Sequence, residues 1–328
     1  METHPKNKIL LVTATVDFGT RSIAEVYIRD MNPERIIKIP DSLESMGIKG
    51  LLGLRKEIRK GAEGMDAIIA LHHGAIIAVA LFAPRNKRVR LYAVADWTRV
   101  YPSKREDTYA KVYSPIMNRI IKGFDTFYSP AKGFCDYYQE RHKLRVEETL
   151  YPLPYPNHIG KPYERNTPPK LLFIGADYRR KAGDLLLERW SKRKPDSTLT
   201  FVCPEPPVVD QPRGIEFLTS IRAGTPEHLA VLKGHDVFVL PSRREAFGFS
   251  ALEALNFGQV VVTSRNVGIA ALVEKAGGIV GANPEEAVEL ALDLLDRPDE
   301  IAQRRAQIWE FMLGYDIEFR KGWSHVLQ

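Results

Sequence analysis

Two glutamates, Glu245 and Glu253, stand eight residues apart in the segment Asp236-Val-Phe-Val-Leu-Pro-Ser-Arg-Arg-Glu-Ala-Phe-Gly-Phe-Ser-Ala-Leu-Glu. A carboxylate accepts hydrogen bonds from neighbouring hydroxyls, which suits the diol of a hexose or a ribose. The apolar run to Leu240 predicts a buried strand that breaks at Pro241. The polar loop after it carries Glu245, and Gly248 lets backbone come close to a ligand. Ser250 is expected to cap the helix that follows, placing Glu253 in its first turn. The free N–H groups of such a helix start suit an anion or sugar hydroxyls. A second segment, Phe173-Ile-Gly-Ala-Asp-Tyr-Arg-Arg-Lys-Ala-Gly, sets Arg179, Arg180 and Lys181 behind a strand that closes on Gly175.

The first segment resembles the signature of the family-4 retaining glycosyltransferases of the GT-B fold, in which Glu-x7-Glu follows a strand ending in Pro-Ser. The resemblance implies that Glu245 contacts the donor hexose and Glu253 the ribose of the nucleotide. The amides of Ala246, Phe247, Gly248 and Phe249 are then expected against sugar and phosphate, with Ser250 counted among the donor-binding residues. The second segment resembles the family's other donor motif, with Arg180 and Lys181 implied as the cations on the departing diphosphate and Arg179 as a third. Ala176 replaces the arginine that many members place directly after the glycine, leaving open which arginine supplies that charge. The third stretch, Thr263 to Glu274 with Val267-Gly268, matches the family's glycine-rich loop in register only and is read as fold support. The implied substrate is a UDP- or GDP-sugar, with no cofactor and no metal. Consistent with that, the sequence contains no Asp-x-Asp and no His/Cys/carboxylate cluster with metal-ligand spacing.

The first half is less specific. Gly19, in a short Gly-containing stretch after the first strand, is implied near the donor diphosphate. His72 and His73 end a strand, and because neighbours on a strand point oppositely only one can face a site; His73 is taken as acceptor-side. Asp96 ends the next strand where relatives carry a histidine-containing motif, and it is assigned to orienting the acceptor.

These residues need strands to place them. Lys8–Thr13, Arg35–Ile39, Asp66–Leu71 and Arg90–Ala95 in the first half, and Lys170–Gly175, Leu199–Cys203, Asp236–Leu240 and Gln259–Thr263 in the second, are short apolar runs separated by helical patterns. Such alternation predicts parallel sheets covered on both faces. The proline-rich stretch Tyr151–Lys170 reads as a linker. The expected architecture is α/β, two doubly wound Rossmann-like domains facing a cleft. Residues 1–155 form the acceptor-side domain, 156–310 the nucleotide-sugar domain, and 311–328 a helix crossing back to the first. Ala67–Ala83 could suggest a membrane span, but His72, His73 and Gly74 in its middle favour a strand, a turn and a helix.

The 328 residues carry 47 Lys+Arg and 41 Asp+Glu. Residues 1–150 hold 25 basic and 18 acidic groups (+7) and residues 151–328 hold 22 and 23 (−1), so the excess belongs to the first half. It suggests an anionic acceptor: a lipid headgroup, a glycan or DNA. Met1–Lys8 is polar and shows no secretory signal, and Cys135 and Cys203 form no paired motif. A cytoplasmic protein, with peripheral membrane association at most, is expected. Competing readings are a nucleic-acid-binding or DNA-glycosylating protein, a GT-B-shaped epimerase or phosphorylase, and a silent sugar-nucleotide-binding module.

Overall fold

The computed structural model describes residues 7–15, 18–40, 43–85, 88–94, 118–143, 146–159, 166–193, 196–204 and 213–327. Two compact units divide the chain. One comprises Met1–Pro152 together with Glu318–Gln328, and the other Leu153–Ile317.

The first unit is built on a six-stranded sheet of β1 (Ile9–Thr15), β2 (Arg35–Pro40), β3 (Ala67–Leu71), β4 (Arg90–Val94), β5 (Thr126–Ser129) and β6 (Glu147–Glu148). All pairings are parallel, in the order β2-β1-β3-β4-β5-β6. The continuous apolar strands follow from helices on the faces: all five residues of β3 are buried. Its helices include α1 (Phe18–Met31), α2 (Gly47–Gly61), α3 (His73–Phe82) and α4 (Lys132–His142). Ala67–Ala83 is therefore the strand, turn and helix expected. Strand order reverses between β1 and β3, the switch point of this sheet.

The second unit holds β7 (Lys170–Ile174), β8 (Thr198–Val202), β9 (Ile215–Leu218), β10 (Val237–Leu240), β11 (Val260–Ser264) and β12 (Ile279–Gly281). Its helices are α5 (Gly183–Arg193), α6 (Pro226–Lys233), α7 (Phe249–Asn256), α8 (Ala270–Ala276), α9 (Pro284–Leu295) and α10 (Pro298–Leu327). The sheet is parallel throughout, ordered β12-β11-β10-β7-β8-β9. Both arrangements are the doubly wound Rossmann-like kind that the sequence predicts. Here the order reverses between β7 and β10, so the loops leaving those two strands flank the crevice where such sheets bind ligands. They are the two segments singled out by composition.

The last turns of α10 belong to the first unit. There Phe319 and Trp323 set their rings 6.1 and 6.0 Å from Tyr27, and Trp323 lies 4.8 Å from Tyr128. Both cysteines are buried and unpaired with each other, and burial raises each thiol above its ordinary range.

Candidate functional site

The loop after β7 is folded around its own acid. Asp177 accepts from the Arg180 amide at 3.1 Å and from its Nε at 3.0 Å. That turns the guanidinium toward the neighbouring loop, where Nη1 donates to Arg244 O at 3.0 Å and to Glu245 Oε2 at 2.9 Å. The Lys181 Nζ lies 3.7 Å from the same carboxylate oxygen. Gly175 makes this reach possible: a Cβ there would fall 2.5 Å from Lys181 Cδ, so the lysine stem lies across the bare backbone. Arg180, Lys181 and Glu245, all named from the sequence, thus lie together.

Arg243, which that reading passed over, locks the two loops. Its amide donates to Arg180 O at 3.0 Å, its guanidinium grips Asp184 at 2.7 and 3.0 Å, and Nη1 also donates to Arg179 O. Arg179 itself is exposed and contributes its carbonyl to this lock. The arginine pair immediately before Glu245 was the available signal.

The loop after β10 corrects the expected cap. Helix α7 begins at Phe249, and its N-cap is Gly248 at φ +94°, not Ser250. A side chain at 248 would be strained and would meet Val267 Cγ1 at 2.8 Å. Ser250 falls inside the first turn and Glu253 in the next, while Phe247 is buried. Ser242 Oγ and Ser250 Oγ are buried hydroxyls with no hydrogen-bond partner among the described residues. A buried orphan hydroxyl costs stability unless something else satisfies it. Both lie on the segment that leaves the switch-point strand β10.

The Val267-Gly268 stretch does more than support the fold. Glu245 and Val267 form an isolated parallel bridge, Gly268 N donates to Glu245 O at 3.2 Å, and Ile269 N donates to Phe247 O at 2.8 Å. A Cβ on Gly268 would stand 1.9 Å from Ala246 O, which is backbone and cannot rotate away. Gly268→Ala is therefore expected to displace the Glu245 loop and to cost about 3 kcal/mol in urea unfolding, at the upper end for overpacking. A variant as stable as the parent would show that the loop yields freely.

The electrostatics are set by burial. Glu253 is 5% exposed, and desolvation pushes its acid up to about 7, although Tyr155 donates to it and Lys181 lies near. Burial likewise lowers Lys181, against the pull of Glu245 and Glu253. An ammonium drawn by two carboxylates, on a loop adjoining the one that leads into a helix start, is a site able to take an anion at one end and hydroxyls at the other.

Of the first-half candidates, Gly19 lies in the first turn of α1 rather than in a loop. His73 opens α3, directly after His72 at φ +71° and ψ 160°, a conformation that non-glycine residues rarely adopt. Asp96 lies outside the described residues. Among the described residues no group of three or more His, Cys, Asp or Glu could hold a metal, and no helix is long and apolar enough to cross a membrane.

Solved structures share this architecture over nearly the whole chain. A glycosyltransferase from Rickettsia africae ESF-5 matches with a TM-score of 0.69 at 14% identity, covering 98% of each chain. Sucrose-phosphate synthase from Thermosynechococcus elongatus gives 0.69 at 14% identity, over 97% of this chain and 98% of that one. Anabaena HepE in complex with UDP-glucose gives 0.72 at 13% identity, over 97% and 100%. The fold is that of the GT-B glycosyltransferases.

Within it, residues 168–297, inside the second unit, match the family described as Glycosyl transferases group 1. The glycogen synthases of Mycobacterium tuberculosis strains CDC 1551 and H37Rv are 32% identical over 169 residues, 48% of this chain and 41% of theirs. The chain thus spans less than half the length of the curated relatives that it matches.

Proposed function

We propose that the protein is a retaining glycosyltransferase that moves a hexose from a nucleoside diphosphate, UDP or GDP, to an acceptor hydroxyl. The observation that carries this reading is the convergence of Lys181, Arg180, Glu245 and the start of α7 at the switch point of the second sheet. Glu245 holds the sugar hydroxyls and Glu253 the ribose. Lys181, Arg180 and the α7 amides take the charge that develops on the departing diphosphate. The acceptor attacks on the face the diphosphate leaves, through an oxocarbenium-like state, and the departing phosphate oxygen takes its proton. This scheme needs no metal or cofactor, so turnover persists in a chelator.

Thermal shift against UDP-, GDP- and ADP-glucose tests the donor assignment, since a ligand at 100-fold its dissociation constant adds about 2.7 kcal/mol. NMR of the product anomer then distinguishes retention from inversion, and product identity separates transfer from epimerisation or phosphorolysis. No shift with any sugar nucleotide would overturn the reading.

The acceptor side is read from α2. Its outward face carries Lys49, Arg55, Lys56, Arg59 and Lys60 beside Ile48 and Leu52, which are 80% and 58% exposed. Basic groups flanking exposed apolar side chains suit an anionic bilayer better than DNA, which offers nothing for Ile48 and Leu52 to enter. We infer a cytoplasmic protein that docks peripherally and meets its acceptor at a lipid surface. Co-sedimentation with vesicles containing anionic phosphatidylglycerol, but not with pure phosphatidylcholine, is expected. Leu52→Glu should reduce the bound fraction about tenfold. Equal binding by Leu52→Glu, or binding to duplex DNA alone, would reject this face.

A further inference from the structure

The proline-rich stretch that the sequence presents as a linker reaches under the donor helix. Asn256, at the end of α7, clamps the backbone of Tyr155 from both sides: its Oδ1 accepts from Tyr155 N at 2.9 Å and its Nδ2 donates to Tyr155 O at 3.0 Å. Tyr155 and His158 set their rings 5.6 and 5.2 Å from Phe257. So anchored, the Tyr155 hydroxyl donates to Glu253 Oε1 at 3.2 Å. On the other oxygen, His228 Nε2 of α6 lies 4.0 Å from Glu253 Oε2.

The direction of these contacts can be worked out. The Gly224 amide donates to His228 Nδ1 at 3.3 Å, so Nδ1 is an acceptor. Burial lowers His228 to about 4, leaving the ring neutral, and its one proton must therefore sit on Nε2, facing Glu253. The Tyr155 hydroxyl also comes within 3.4 Å of Nδ1, but its single hydrogen serves the carboxylate. One neutral donor, Tyr155, thus hydrogen-bonds the buried carboxylate, and the N–H of a second, His228, faces its other oxygen at 4.0 Å. Neither is used in the transfer chemistry set out above.

Resting on the assignment of Glu253 to the donor's ribose, we propose that Tyr155 and His228 are positioning residues that hold this carboxylate as a hydrogen-bond acceptor for the donor's hydroxyls. A protonated carboxyl group would give up part of that accepting capacity, so donor binding should tighten with rising pH and level off above about 7, where Glu253 ionises. The groups facing Glu253 are Tyr155, His228 and Lys181, with Glu245 and Arg180 acting through the lysine. Burial keeps His228 neutral and Tyr155 protonated over that range, so the inflexion belongs to the carboxyl group.

The test is the dissociation constant of UDP-glucose, GDP-glucose and ADP-glucose, measured by calorimetry from pH 5.5 to 9. Losing one hydrogen bond to the ionised form is expected to move the inflexion of Tyr155→Phe up by about one pH unit. Binding then weakens about fivefold at pH 7 and is nearly unchanged at pH 9. His228→Leu should move it the same way, and if that variant does not fold, Tyr155→Phe decides alone. A uniform loss at every pH, or an unmoved inflexion, overturns the positioning role while leaving the donor site standing. If the parent protein binds no sugar nucleotide at any pH, both readings fall.

Discussion

Lys181→Ala is expected to lower turnover by about 10²-fold or more, the loss seen when a preorganised charge stabiliser is removed. The lysine side chain is only 14% exposed, so water does little to dilute its field. Its stem is laid over Gly175, and its ammonium lies 3.7 Å from Glu245, with Glu253 adding a further pull. Arg180 is 43% exposed and already shared with Asp177, so Arg180→Ala should cost less. Lys181→Arg is not expected to rescue, because a planar guanidinium does not fit a narrow stem position above bare backbone. Steady-state kinetics at saturating donor reads the effect directly. A Lys181→Ala protein with the parent's turnover would remove the lysine from the mechanism.

The second large effect is a gain. Glu253→Gln should stabilise the protein at pH 8 by about 4 kcal/mol while abolishing tight donor binding. A glutamate in an unfolded chain titrates near 4.3, whereas the folded carboxyl group here titrates at about 7. Between those values the native state keeps a proton that the unfolded state has released, so stability falls as pH rises through that window. Above 7 the whole cost of a buried anion is present, about 1.36 kcal/mol for each unit of separation. Glutamine never ionises and escapes it. The advantage should vanish below about pH 4, where both states of the parent are protonated. Urea unfolding at pH 4 and pH 8, followed through buried Trp190 in the same unit, makes the comparison. Equal stability of the two proteins at both pH values would mean that the carboxylate is satisfied by its neighbours. A residue kept at a net cost to the fold is the signature of a functional site.

The candidate site of the second unit was legible because its residues follow strand ends that announce themselves. Apolar runs ending in Gly175 and in Pro241-Ser242 place Lys181 and Glu245 on adjacent loops once the sheet order is known. What escaped acts through contacts that no local pattern encodes. Gly268 matters because Ala246 O passes 1.9 Å from where its Cβ would be. Tyr155 and His228 reach Glu253 from positions 98 and 25 residues away in the chain (253 − 155 and 253 − 228). The proline run around Tyr155 signalled that no α-helix or long strand runs there, and among the described residues it holds only the short 3-10 helix Pro156–His158, yet such a segment can be clamped as firmly as either. Ser250 was misplaced by two residues because a serine ahead of an apolar helix is the commoner cap, while a left-handed glycine does the work here. In the first half the strands were readable and the chemistry was not, since His73 and Gly19 carry no motif around them that fixes a partner.

The return of α10 to the first unit has a consequence for how the protein is made. The aromatic cluster of Tyr27, Tyr128, Phe319 and Trp323 draws on both ends of the chain, with Asn7 Nδ2 donating to Val326 O at 3.0 Å beside it. Residues Leu153–Ile317, by contrast, form a contiguous unit. During synthesis from the N-terminus, the strands of the first unit are made long before Glu318–Gln328, so Tyr27 waits for the rings that cover it until those residues follow the contiguous unit.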